Sequence, residues 1–120
     1  MRNLAAVFLD GYITSNPELR QTPAGKSVTT FSLAVHHNLK EPSNSQDDVS
    51  FIEIEVWGKQ AENCVEFLRK GSKVTIQGDI RQDRWKSPEG INRQKIKVIA
   101  STVRFDPSHN KSSEKEVQAA

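Results

Sequence analysis

The sequence lacks the features that would place it among disulfide-bonded, membrane or secreted proteins. Its single cysteine, Cys64, has no partner for an internal disulfide or a thiolate metal site. No hydrophobic run reaches the length of a membrane-spanning helix, and the N-terminal segment breaks at Asp10 and Gly11 before a signal-like apolar stretch forms. With 35% hydrophobic and 27% charged residues among 120, the chain is expected to form one globular domain in the cytoplasm.

The sequence also lacks the patterns that carry nucleotide hydrolysis, metal binding or catalysis. AGKS at 24–27 resembles part of a phosphate-binding loop, but such a loop needs a glycine five residues before Gly25, where this chain has Arg20. The histidines at 36–37 and the aspartates at 47–48 could be considered as ligands of a metal ion. However, adjacent residues of a strand point in opposite directions, so the two histidines would not face the same ion. No nucleophile, base and orienting partner stand together, so we expect no enzyme activity, no cofactor and no metal.

Positive charge is concentrated in the second half of the chain, although the formal net charge is only +2. Residues 69–104 hold ten basic and three acidic side chains, whereas residues 1–68 hold five basic and nine acidic ones. A local basic field of this kind attracts a polyanion. On charge alone, a solvated basic face without a ligand is an equally good interpretation.

Alternating apolar and polar residues predict five strands separated by loops. The predicted strands cover residues 4–14, with a bulge or bend at Gly11, then 27–36, 49–57, 73–81 and 93–105. Residues 15–26 and 37–48 are predicted to be loops, because they are polar or rich in proline and glycine and lack periodicity. SPEG at 87–90 is a turn signal between the last two strands.

One helix is predicted from Lys59 onward, between the third and fourth strands. Its apolar stripe consists of Ala61, Cys64, Val65 and Leu68, at helical spacing. Arg69 and Lys70 are predicted in its last turn, where positive charge suits the helix dipole, and Gly71 as its C-terminal cap.

The order β-β-β-α-β-β is that of the OB-fold, an all-β Greek-key barrel of five strands with one helix. Residues 1–105 are predicted to form this domain, and residues 106–120 a flexible C-terminal tail.

The third predicted strand has aromatic residues where a strand usually shows polar ones. Ile52, Ile54 and Val56 are expected to face the core, which leaves Phe51, Glu53, Glu55 and Trp57 on the opposite face. In an OB-fold this region borders a groove in which bases of a single strand stack on aromatic rings, at about 1 to 3 kcal/mol per base, while lysine and arginine follow the phosphates. Packing in the core or between subunits is the alternative for Trp57.

Three stretches carry a resemblance to a known family. They are NPELRQTPAGKSVTTFSLAV at 16–35, EVWGKQAENCVEFLRKGSKVTIQGDIRQDRW at 55–85 and SPEGINR at 87–93. Over residues 4–105 the chain resembles bacterial single-stranded DNA-binding proteins, which are homo-oligomeric OB-fold proteins. The resemblance implies a nucleoid-associated tetramer that binds single-stranded DNA without sequence preference and protects it in replication, recombination and repair.

The resemblance also implies the residues that contact DNA. Base stacking falls to Phe51, Trp57 and Trp85, and phosphate contact to Lys59, Arg69, Lys70, Lys73, Arg81, Arg84 and Arg93, with Arg20 as a further candidate.

Three departures from the family pattern carry expectations of their own. Leu39 stands where the family has a stacking tryptophan, so we expect a smaller contribution from that loop. Glu53 and Glu55 would repel phosphates unless neighbouring basic residues compensate them. Typical members end in an acidic tip that recruits partners, whereas this chain ends in EKEVQAA, so the resemblance does not carry over recruitment of replication and repair proteins.

Two other functions remain compatible with the sequence. One is a primosome-type OB-fold accessory protein that binds DNA weakly and docks a helicase. The other is a protein-interaction module whose aromatic residues are buried between subunits. RNA binding also remains open, because no residue identifies a 2′-hydroxyl group.

Overall fold

A computed structural model of the chain describes residues 3–37 and 48–106. In order, the elements are β1 Val7–Ile13, β2 Glu18–Gln21, β3 Ser27–His36, β4 Val49–Trp57, α1 Gly58–Phe67, β5 Lys73–Lys86 and β6 Asn92–Phe105. The helix in these ranges is too short and too polar to cross a bilayer.

Five of the strands form a closed ring. β1 pairs antiparallel with β5 over Val7–Tyr12, and its last residues, Tyr12 and Ile13, pair with β3. β3 continues antiparallel to β4, β4 pairs in parallel with β6, and β6 returns antiparallel to β5. The ring with one helix confirms the predicted OB-fold barrel.

The sixth strand, β2, lies within residues 15–26, which the sequence pattern predicts as loop. Its four residues pair antiparallel with the beginning of β3, where Glu18 lies opposite Thr30 and Gln21 opposite Ser27. All four residues of β2 are exposed, so the sequence has no alternation of apolar and polar residues from which this strand could be predicted. Pairing with β3 produces it.

The barrel core is continuous with the buried stripe of the helix. It includes Leu33, Ile54, Val56, Val74, Ile76 and Val98 from the strands and Ala61, Cys64 and Leu68 from α1 and the residue that follows it. The inward face predicted for β4 is confirmed, with Ile52 partly buried beside Ile54 and Val56. Burial raises the pKa of the Cys64 thiol to about 12, which keeps it protonated at neutral pH.

The helix ends one turn earlier than the sequence pattern predicts. Its last residue is Phe67, and Leu68 is already extended, with φ −100° and ψ 144°. Arg69 and Lys70 therefore lie beyond the helix rather than in its last turn. The reason is tertiary, because the N–H groups of Lys70 and Gly71 donate to Asn16 Oδ1 and to the carbonyl oxygen of Ile13, both at 2.7 Å, instead of to carbonyl groups of the helix.

Arg69, not Gly71, satisfies the end of the helix. Its Nη1 atom donates hydrogen bonds to the carbonyl oxygens of Val65, Glu66 and Leu68, at 2.8 to 3.2 Å. Gly71 has φ +93° but lies in the turn toward β5, and its N–H donates to the carbonyl oxygen of Ile13 at 2.7 Å. Contact with β1 thus replaces the predicted glycine cap.

β5 and β6 form a hairpin that extends well beyond the barrel. Ser101 is an extra residue in β6 where Gln77 and Gly78 pair with Thr102 and Ala100. A Cβ atom at Gly78 would collide with the carbonyl oxygen of Ile99 on the neighbouring strand. The absence of a side chain therefore lets the two strands stay paired through this bulge.

The outer part of this hairpin, residues 79–97, is named the hairpin arm. Most of its side chains are exposed, and the predicted SPEG turn at 87–90 is confirmed at its tip. There the N–H of Ser87 donates to the carbonyl oxygen of Ile91 at 2.9 Å, and that of Gly90 to Ser87 at 2.8 Å. The arm offers two side-chain faces outside the core.

Replacing Ile54 by alanine should lower the free energy of unfolding by about 2 to 5 kcal/mol, because its side chain is fully buried. Ile91→Ala is the matched control, since Ile91 is 54% exposed, and should change stability by less than about 0.5 kcal/mol. Urea denaturation of both variants measures the difference. Equal effects would contradict the assignment of the core.

Candidate nucleic-acid interface

The outer side of β4 presents two accessible aromatic rings. Phe51 is 69% exposed and Trp57 is 39% exposed, on the face opposite to Ile54 and Val56. Strand alternation produces this arrangement, since side chains two residues apart share a face. The chain on its own thus leaves both rings open to a ligand.

Two acidic residues lie between these rings, and each is paired with a lysine of β6. Lys95 Nζ is 2.6 Å from Glu53 Oε1, and Lys97 Nζ is 2.9 Å from Glu55 Oε1. These pairs form because β4 and β6 run in parallel, with Glu53 in register with Lys97. The compensation that the sequence analysis required for the two carboxylates is present.

Lys97 also contacts the neighbouring strand of the hairpin arm. Its Nζ is 3.0 Å from Asp83 Oδ2 on β5. The hydrogen bonds that Lys97 donates to Glu55 and, less strongly, to Asp83 raise the pKa of Lys97, against the opposing effect of burial. The lysine therefore stays charged at neutral pH and links three strands.

Glu55 binds the Trp57 side chain as well. The indole Nε1–H donates to Glu55 Oε2 at 2.6 Å, while Oε1 of the same carboxylate accepts from Lys97. Trp57 therefore has a satisfied polar atom and an exposed ring surface.

Trp85 lies on the hairpin arm and is 48% exposed. It is directly opposite Arg93 on β6, as Arg81 is opposite Lys97 and Asp83 is opposite Lys95. Directly opposed residues of an antiparallel pair share one face. The ion pairs of Lys95 and Lys97 with β4 make this face of the arm continuous with the outer side of β4.

We name this continuous surface the aromatic–basic face. Its members are Phe51, Glu53, Glu55 and Trp57 on β4, Arg81, Asp83 and Trp85 on β5, and Arg93, Lys95 and Lys97 on β6. All three predicted stacking residues lie on it.

Three further predicted phosphate contacts lie at the borders of this face. Arg84 is on the other side of the arm, opposite Gln94, and lines a cleft at the end of the arm together with Trp85 and Arg93. Lys59 is two residues beyond Trp57, and its side chain is 81% exposed. Its Nζ atom is 3.8 Å from Glu62 Oε1. Arg20 on β2 is exposed.

Arg20 is connected to Trp57 through β3. It pairs with Val28, and Val28 pairs with Trp57, so all three belong to one row across the sheet. Strands are spaced by about 4.8 Å, which places the Arg20 and Trp57 backbones roughly 10 Å apart.

The structure does not bring Arg69, Lys70 and Lys73 to the aromatic–basic face. Lys73 is opposite Tyr12, with its Nζ 3.9 Å from Asp106 and 5.9 Å from the centroid of the Tyr12 ring. It begins β5, twelve residues before Trp85, which corresponds to roughly 40 Å along an extended strand. The Arg69 side chain binds carbonyl oxygens at the end of the helix, and the backbone N–H of Lys70 donates to Asn16 Oδ1 at 2.7 Å.

Sequence reasoning missed Lys95 and Lys97 as partners of the two glutamates. The available signal was their common spacing of two residues, which places each pair on one face of its strand. The parallel pairing of β4 with β6 was needed to bring these pairs together. Leu39, where the family pattern has a tryptophan, lies outside the described residues.

No group of three or more histidine, cysteine, aspartate or glutamate side chains that could hold a metal ion occurs among residues 3–37 and 48–106. The aspartate at 47 in the pattern considered above lies outside these ranges.

Comparison with known proteins gives consistent matches. The single-strand binding protein family matches residues 4–106. The chain is 35% identical over 105 residues to a single-stranded DNA-binding protein of Treponema pallidum, covering 88% of this chain and 59% of that protein. It is 37% identical over 102 residues to single-stranded DNA-binding protein B of Bacillus subtilis, covering 84% of this chain and 89% of that protein.

The chain is also 38% identical over 108 residues to a single-stranded DNA-binding protein of Clostridium tetani, covering 89% of this chain and 73% of that protein. The chain thus spans about three-fifths of the Treponema relative and most of the Bacillus one. The family match covers the whole barrel and its hairpin arm. The chain belongs to the single-strand binding protein family.

Proposed function

We propose that this protein binds single-stranded DNA with little sequence preference and protects it during replication, recombination and repair. The observation that carries the proposal is the aromatic–basic face, on which Phe51, Trp57 and Trp85 are all accessible beside Arg81 and Arg93. Aromatic rings with adjacent cations suit single strands, because every base offers a flat surface for stacking. The names of the relatives support the same ligand.

Bases and phosphates have different routes across this face in the proposed complex. Lys95 and Lys97 are bound to carboxylates, so the middle of the face has little positive charge to offer a phosphate. Within the described part of the chain, Arg81 and Arg93 form no ion pair. In this arrangement bases stack on the rings of β4 and on Trp85, and phosphates lie near Arg81 and Arg93.

The proposal includes a non-catalytic role and a homotetramer. Exposed apolar side chains favour self-association: Phe8 is 69% exposed on β1, and Ile80 and Ile96 are 52% and 61% exposed on the arm. DNA binding places the protein at the nucleoid in the cytoplasm. Stacking on the rings and release of counterions from phosphates supply the affinity.

Titration with poly-dT should quench the intrinsic tryptophan fluorescence to saturation, because Trp57 and Trp85 lie on the proposed contact face. Affinity should fall with rising salt, with a slope of log K against log salt of about −0.7 per phosphate neutralised. Duplex DNA of equal length is the control and should quench less. Salt-independent affinity would contradict the proposed phosphate contacts, and no quenching, or curves identical to those with duplex, would favour an interaction module whose tryptophans are buried.

Trp85→Ala should weaken binding of poly-dT by about 1 to 3 kcal/mol, the value of one stacked base. Because Trp85 is outside the core, the urea midpoint should hardly change. Trp85→Phe keeps a ring and should retain most of the affinity. A destabilised Trp85→Ala protein whose folded fraction binds normally would remove Trp85 from the site.

Light scattering after size exclusion should give four times the 13.5 kDa mass of one chain. A single chain leaves Phe8 and Ile96 exposed to water, which favours association, and the family resemblance implies four copies. Measurement over a range of protein concentrations distinguishes a stable tetramer from weak association. A monomer at every concentration would contradict the proposed assembly without affecting the DNA site.

A further inference from the structure

The Glu55 carboxylate contacts two groups of the aromatic–basic face at once. One oxygen accepts from the Trp57 indole at 2.6 Å, and the other accepts from Lys97 at 2.9 Å. The Glu55 side chain is only 12% exposed, so few water molecules reach its carboxylate, although the indole donor belongs to a more exposed ring. A carboxylate held in this way has one orientation available to it.

The bond to Glu55 limits how the Trp57 ring can move. An indole attached to the backbone through Cβ and held at Nε1 cannot turn about its side-chain torsions without breaking the hydrogen bond. Because the acceptor is ionised, this bond is stronger than one between neutral groups. The exposed face of the ring is therefore presented in one orientation before any ligand arrives.

Glu55 is itself fixed by a chain of contacts across the sheet. Lys97 is 17% exposed and bridges Glu55 on β4 to Asp83 on β5. Movement of the carboxylate toward solvent would break the contact with Lys97 and the contact with Trp57 together. The orientation of a ring on β4 thus depends on charges supplied by two other strands.

We propose that Glu55 is a positioning residue for DNA binding, which holds the Trp57 ring ready for a base to stack on it. The inference rests on the function proposed above and adds a residue to it that contacts no DNA. Holding the Trp57 ring in place favours binding through preorganisation, because a side chain that is already immobilised loses less conformational freedom when DNA binds.

The negative charge of Glu55 by itself would weaken DNA binding, because a carboxylate on this face repels phosphates. The positioning of Trp57 is expected to strengthen it. Two substitutions separate the effect of the charge from the effect of positioning the Trp57 ring. Glu55→Gln and Glu55→Leu remove the same charge, have similar size and leave Lys97 paired with Asp83. Glutamine keeps one carbonyl oxygen that can accept from the Trp57 indole, in competition with Lys97, whereas leucine has no acceptor at all.

The Kd for oligo-dT should be about two- to tenfold higher for Glu55→Leu than for Glu55→Gln, the effect of immobilising one side chain. The salt slope should be the same for both, because the phosphate contacts are the same. In a Trp57→Phe background, which keeps a ring but has no N–H, the two substitutions should give equal Kd values. Circular dichroism and urea denaturation verify that each variant is folded.

The indole N–H signals provide a readout without DNA and without a variant at Glu55. In ¹H–¹⁵N spectra of the free wild-type protein, the Trp57 indole proton should exchange with water more slowly than that of Trp85, which has comparable exposure. Loss of one signal in Trp57→Phe assigns the two. Equal exchange rates would overturn the proposal even if Glu55→Leu did not fold.

The remaining outcomes separate this inference from the proposed function. Equal Kd values for Glu55→Gln and Glu55→Leu, with normal wild-type binding, would overturn the positioning role alone. A difference that persisted in the Trp57→Phe background would also overturn it, because the indole would not be its cause. A wild-type protein that bound no oligo-dT would overturn both.

Discussion

The close approach of β1 to β3 at Gly11 closes the barrel, and the rest of the architecture depends on that closure. A Cβ atom at Gly11 would collide with the carbonyl oxygen of Ala34, at the place where β1 leaves β5 and joins β3. In the closed ring, the second edge of β4 pairs with β6. That pairing brings the lysines of β6 to the glutamates of β4 and joins the hairpin arm to the barrel face.

The resulting face places ion-paired charges between its aromatic rings. Glu53 and Glu55 would oppose a polyanion if they were alone, but Lys95 and Lys97 compensate them. Partly buried ion pairs have a desolvation cost, so their presence is weak evidence for stability and better evidence for a defined arrangement of strands and side chains. The pKa of Lys97 is raised mainly by its hydrogen bonds to Glu55 and Asp83, so these contacts stabilise the charged form of the lysine.

The basic third of the sequence divides into two regions with different roles in the structure. The arginines of the hairpin arm lie on or beside the face that carries Trp85. Arg69 instead binds the last carbonyl groups of the helix, and Lys73 lies between Tyr12 and Asp106. Residues that are near one another in sequence lie far apart in this structure, because an extended strand adds about 3.3 Å with every residue.

The sequence by itself determined the strands β3 and β4, the helical stripe and the outward position of Phe51 and Trp57. These features follow from local periodicity and from the alternation of side chains along a strand. Tertiary structure alone decided the existence of β2, the early end of the helix at Phe67 and the ion pairs of Glu53 and Glu55. Each of these depends on residues distant in sequence, which local patterns cannot bring into register.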